Sequence, residues 1–203
     1  MNLLQQNTLA TEAGTILSDI QLGLIRHHMV RIEDNAPDFS LVNQNGHIIN
    51  LHDQLDKGPV VLAFVNGGDI IKDQTILCEL EKLRLFMGIH NASLMIIAPH
   101  SNAFNAYRKR CNKLNTNILH DIGNQVANRF GLVHEPSYRT SEYYEDFAVN
   151  HNWLNHGDEK LPVAAIYVIH PNRRITFSHA NTEQDFDINT QEIHETLKEG
   201  ASK

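Results

Sequence analysis

The sequence predicts an α/β fold in three layers, with helices on both faces of a central sheet. Three observations carry this. Continuous apolar runs, Pro59 to Val65 and Leu94 to Pro99, read as strands covered on both faces. Helical segments alternate with them, which favours strands joined by crossover helices. The chain then closes on a strand-turn-strand segment and a last helix. With 203 residues, 41% apolar and 20% charged, it can bury one sizeable core.

The elements follow in order. From about Thr8 to Arg31 apolar residues step at helical spacing: Ile16, Ile20, Leu24 and His28, with Leu17 beside them. This amphipathic helix forms an N-terminal extension over residues 1–35, and the main domain occupies 36–203. Ala36-Pro37 ends the helix. Phe39 to Val42, the Asn43-Gln44-Asn45-Gly46 turn and His47 to Leu51 form a hairpin. Asn50 or His52-Asp53 opens a short helical turn closed by Lys57-Gly58.

After the strand Pro59–Val65 and the Asn66-Gly67-Gly68 break, a helix runs from near Asp69 to about Met87. Ile76, Leu80, Leu83 and Met87 make its apolar face. The strand Leu94–Ala98 is followed by a polar helix from Asn102 to Leu114 and a short helix from Gly123 to Phe130. Glu135 to Asp158 is irregular and holds Tyr138, Tyr143, Tyr144, Phe147 and Trp153, which suit a pocket wall, a sheet edge or a subunit contact. Ala164–Ile169, the Pro171–Arg174 turn and Ile175–His179 form the late hairpin. Asn189 or Thr190 caps the last helix. Hairpin, β-α-β-α, hairpin and helix together match a thioredoxin-like layout.

Charge and composition exclude several classes. The net charge of -7 is scattered, which argues against a nucleic-acid binder. No apolar run reaches the ~20 residues of a membrane span. The N-terminus lacks the basic start and apolar stretch of a secretory signal, so a cytoplasmic location is expected. Two cysteines, Cys78 and Cys111, make no disulfide framework. Each is expected to be a small, partly buried side chain. The 13 histidines include no His-x-x-x-His pair, and there is no Cys-x-x-Cys, so surface histidines are expected and no metal or cofactor. His27 and His28 face different ways, and His151 and His156 are not at a same-face spacing. Histidines distant in sequence remain free to meet in the fold. Arg173-Arg174 is read as solvated turn charge.

Four segments carry a family resemblance. They are Ala36-Pro37-Asp38-Phe39-Ser40-Leu41 with Asn45-Gly46, and Gly58 to Phe64 with Gly67-Gly68. His120-Asp121 through Val126-Ala127 to Phe130-Gly131-Leu132 is the third, and Ala165 to Asn172 the fourth. In order and spacing they resemble the alkyl hydroperoxide reductase C and thiol-specific antioxidant branch of the peroxiredoxins, over about residues 36–199. The resemblance implies a peroxiredoxin-type thioredoxin-like fold with an N-terminal β-hairpin; the extra N-terminal helix lies outside the match. It also implies a thiol chemistry and a homodimer.

The redox motif departs from that pattern. Aligned on Gly67-Gly68, Ile70 takes the position of the peroxide-reducing cysteine and Asp73 that of the second cysteine. Ala164 takes the place of the arginine of peroxiredoxins or the cis-proline of thioredoxins. Peroxide reduction needs a thiolate, which a helix N-terminus and a nearby cation favour. Ile70 offers no nucleophile.

Three readings follow: a non-catalytic binding or oligomerisation module with an unknown protein partner, a thiol oxidoreductase using a displaced cysteine, or a carrier using the hollow at Ile70 and Ile71. Cys78 lies eight residues beyond Ile70, ~12 Å along the helix and ~200° around it from Leu80. Cys111 follows Arg108, Lys109 and Arg110, a cationic setting. Pairing of the two requires Cα atoms within ~7 Å.

Overall fold

The computed structural model describes residues 21–65, 70–134, 160–181 and 188–200, with side chains left aside at 70–73 and 200. The expected helix before residue 21, the Gly67-Gly68-Asp69 break and the aromatic stretch 135–158 lie outside the described residues. A seven-stranded sheet forms the middle layer, in the order β2-β1-β5-β4-β3-β8-β9. Its strands are β1 Ser40–Asn43, β2 Ile48–Asn50, β3 Val60–Phe64, β4 Ser93–Ala98, β5 Asn117–His120, β8 Ala165–Ile169 and β9 Ile175–Ala180. β6 Val133–His134 and β7 Leu161–Pro162 pair separately. The helices are α1 at 21–28, α2 Leu51–Leu55, α3 Ile70–Met87, α4 Asn102–Cys111, α5 Gln125–Arg129 and α6 Thr190–Gly200.

The central strands β3, β4 and β5 run parallel, and β8 lies antiparallel against β3. Alternation along each strand divides two cores, as the period-2 geometry requires. Val61, Ala63, Leu94, Ile96, Ala98, Ile166 and Val168 face one core, with Leu77, Leu80, Leu83 and Met87 of α3 and Ile193 and Leu197 of α6. Val60, Leu62, Phe64, Met95, Ile97, Tyr167 and Ile169 face the other, with Leu51 and Leu55 of α2 and Val126 and Ala127 of α5. Phe64, Phe130 and Tyr167 are clustered there, with ring centroids 5.0 to 6.2 Å apart. Burial pushes the Tyr167 hydroxyl well above its ordinary pKa.

Local rules place several boundaries. Asn50 caps α2 by accepting from the Asp53 amide at 3.0 Å, and Ser101 caps α4 by accepting from Phe104. Gly131, at φ 70°, lies where a Cβ would come 2.3 Å from the His28 carbonyl oxygen, so α1 and its exit pack directly on backbone.

Five expectations need correction. β5 is a full strand between β1 and β4, although Asn117-Ile118-Leu119-His120 is too short and too polar at its ends to stand out. The apolar face of α1 is carried among the described residues by Ile25, 4% exposed, while Leu24 is 54% exposed and His28 is exposed. Both cysteines are exposed rather than partly buried. His100, His120 and His170 are buried, not superficial. Arg108 is buried while Arg110 is exposed, so the basic run is not one solvated face.

Candidate functional site

The site expected from the sequence lies where β3 ends, β8 begins and α3 starts. Phe64 pairs with Ala165 in the antiparallel ladder, and the register sets Val65 opposite Ala164. Ala164, Val65 and Ala98 are all buried and belong to the core on the α3 side. Ala164 is held in place by its carbonyl, which accepts from the Asn181 amide at 2.8 Å. No cis peptide occurs among the described residues, so the position is neither a cation nor a cis-proline. Five residues after Val65, Ile70 opens α3, and the backbone of Asp73 follows in its first turn. The end of β3 and Ala164 therefore meet at one end of the paired strands, with α3 opening five residues further along the chain.

The two thiols are not at that end. Cys78 lies in the third turn of α3 and is exposed. Cys111 is the last residue of α4, at the carbonyl end, where no amide donors are free to meet an anion. Tyr107, one turn before Cys111, bonds to it, and this contact leads the effects that raise the tyrosine's pKa.

A buried polar group that the sequence did not single out stands just beyond the end of β4. His100 follows β4 by two residues and is fully buried. Its Nδ1 lies 3.4 Å from a guanidinium nitrogen of Arg108, and its carbonyl accepts from Asn105 Nδ2 at 2.9 Å. The Phe104 ring packs 4.8 Å from the His100 ring and 5.9 Å from the Arg108 Cζ. The signal was the three-residue spacing of Asn105 and Arg108, which sets both on one face of α4.

The third matched segment has a structural purpose. Asp121 is 1% exposed, and its two carboxylate oxygens each accept at 2.9 Å, from the Val126 and Ala127 amides. It thereby holds the start of α5 against the end of β5. Burial raises its pKa, and the amides and the Arg129 charge offset that in part. Glu81 of α3 does the equivalent on the other face. Burial works against its charge, but bonds from Arg84, Thr116 and Asn115 outweigh it and hold the carboxyl below its ordinary pKa.

Among the described residues no three of His, Cys, Asp and Glu gather as a metal site. A groove of about 530 Å³ runs between α1 and the α5–β6 segment, lined in part by Leu24, His28, Arg129 and Val133. It adjoins α5, away from Ala164 and α3. No helix among the described residues is long and apolar enough to cross a membrane.

Sheet order, mixed pairing and helical layers define a thioredoxin-superfamily α/β protein of the peroxiredoxin type. Residues 32–178 match the model of the AhpC/TSA family, and the chain belongs to that family. Solved structures agree on the fold. Peroxidoxin BcpB from Mycobacterium tuberculosis is similar with a TM-score of 0.67 and 21% identity, over 85% of this chain and 98% of that one. A cysteine-to-serine mutant of PrxQ from Xylella fastidiosa is similar with a TM-score of 0.67 and 16% identity, over 86% and 98%. Thiol peroxidase from Chromobacterium violaceum gives 0.63 and 17%, over 85% and 88%. No curated protein matches.

Proposed function

We propose that this chain is a peroxiredoxin-fold protein without peroxidatic chemistry, working as a binding or oligomerisation module. The observation behind the reading is the residue set at the expected site: Ile70 at the start of α3 and Ala164 beside Val65, with no cysteine in the chain before Cys78. A peroxidatic site requires a thiolate at the helix start and a cation over it. Ile70 supplies no thiol, and Ala164 supplies no charge. Asp73 adds an anion to the first turn, which suits the helix and not a thiolate. Membership of a family whose members commonly pair supports a homodimer. The acidic, unclustered charge supports a protein partner over a nucleic acid, in the cytoplasm.

The second reading is a thiol-dependent peroxide reductase using Cys111 or Cys78, and their exposure favours it. One experiment separates the two. The reduced full chain is mixed with hydrogen peroxide and with a small organic peroxide, and intact mass reports sulfenic acid or disulfide. Oxidation no faster than a free thiol, unchanged in Cys78→Ser and Cys111→Ser apart from the missing group, supports the module. Rapid oxidation lost with one substitution assigns the nucleophile and overturns it.

A further inference from the structure

Among the described residues, one pair of metal-ligating side chains joins two elements far apart in sequence. His90 ends the 3-10 turn Gly88–His90 that follows α3, and His194 lies in α6. Their ring nitrogens, Nε2 of His90 and Nδ1 of His194, are 3.1 Å apart across 104 residues of chain. The rings meet edge to face, with centroids 4.7 Å apart and planes 69° apart. Both side chains are half-buried, so solvent reaches the pair.

Both backbones are fixed independently of the rings. Asn91, at φ 52°, turns the chain after His90, and its amide donates to the Gly88 carbonyl while Ala92 donates to Met87. The Asn91 carbonyl packs on Gly58, where a Cβ would come 2.1 Å from it, and its side chain donates to the Lys57 carbonyl at 2.6 Å. His194 is flanked by Ile193 and Leu197, which are 0% and 1% exposed and anchor α6 on the sheet. The two imidazoles are therefore presented by rigid supports.

From this geometry we propose that His90 and His194 form a two-histidine clamp for a borderline divalent transition-metal ion, tying the end of α3 to α6. Metal–imidazole bonds of ~2.0–2.1 Å spanning a 3.1 Å separation subtend about 98° at the ion. That lies between the octahedral and tetrahedral angles. Each nitrogen needs to swing only about 40° off the line joining the pair to aim at a shared ion, by the same bond lengths. The two facing nitrogens are hydrogen-bonded, so one already presents a lone pair; only the donor ring must shift its proton to its other nitrogen, and the clamp then closes without releasing a proton.

With two imidazoles and no carboxylate or thiolate joining them among the described residues, the site selects nitrogen-loving ions in the order copper above nickel and zinc, and rejects magnesium. Water fills the other positions. Lys198, one turn beyond His194, opposes the ion with its own charge. This reading is independent of the one proposed for the expected site.

The test uses the full chain with Cu(II), Ni(II), Zn(II) and, as control, Mg(II). Calorimetry is expected to show one tightest equivalent of Cu(II). Amide spectra with sub-stoichiometric Cu(II) are expected to broaden first around residues 88–92 and 191–198. His90→Ala and His194→Ala should each weaken that equivalent tenfold or more, Lys198→Gln should tighten it, and His47→Ala should leave it unchanged. Circular dichroism checks that the variants fold. Cu(II) affinity unchanged from wild type in either histidine variant, or broadening centred elsewhere, overturns the proposal.

Discussion

Replacing Asp121 with alanine removes the acceptor of two buried amides at once. Val126 and Ala127 each donate to it at 2.9 Å, and the carboxyl is nearly inaccessible to water. An amide left buried without an acceptor costs ~1–3 kcal/mol, and losing an N-terminal cap costs ~0.5–2 kcal/mol. The two ranges describe the same bonds and do not add. Removing the carboxylate also relieves its desolvation, so the net loss is expected near ~2 kcal/mol. For a chain of 203 residues that lowers Tm by ~4–8 °C. Urea unfolding followed by circular dichroism measures it, and a loss under ~0.5 kcal/mol would refute the capping argument. Asp121→Asn keeps one acceptor oxygen and is expected to lose about half as much. It also isolates the titration. The folded state holds the Asp121 proton more tightly than the unfolded chain does, because burial raises its pKa. The stability this adds to wild type over Asp121→Asn is present below the ordinary aspartate range and fades as pH rises through the raised folded value.

Other outcomes are open to measurement. Gly131→Ala places a Cβ against the His28 carbonyl at positive φ and should cost about 3 kcal/mol, with amide exchange faster first in residues 25–30. Phe130→Ala empties the cluster with Phe64 and Tyr167 and should cost ~3–5 kcal/mol by urea unfolding. Cys78→Ser and Cys111→Ser should each change stability by under ~0.5 kcal/mol, and both thiols of the native wild type should react with a small aromatic disulfide without denaturant.

Much of the fold was legible along the chain because its signals are local. The runs Val60–Phe64 of β3 and 94–98 of β4 are apolar since helices cover both faces of the sheet there. Asn43 to Gly46 announces its hairpin turn through residue types that tolerate the turn's backbone. β5 carries no such local signal, because a strand of four residues flanked by Thr116 and Asp121 has too little apolar run to register. It becomes a strand only because β4 and β1 offer ladders on either side. Ile25 rather than Leu24 packs inward on α1, since the rotation of an amphipathic helix is set by the surface it meets.

The candidate site divides the same way. The sequence by itself determined that no cysteine stands at Ile70 or Asp73 and that Ala164 carries no charge, since chemistry of that kind is a matter of residue identity. Position along α3 also placed Cys78 beyond the first turn, because helical rise is invariant. Tertiary structure alone decided that both cysteines face solvent, that Arg108 turns inward to His100 while Arg110 does not, and that His90 meets His194. Those facts depend on which surfaces pack against which. A sequence of single residues carries no distance between positions 104 apart until a sheet brings their supports together.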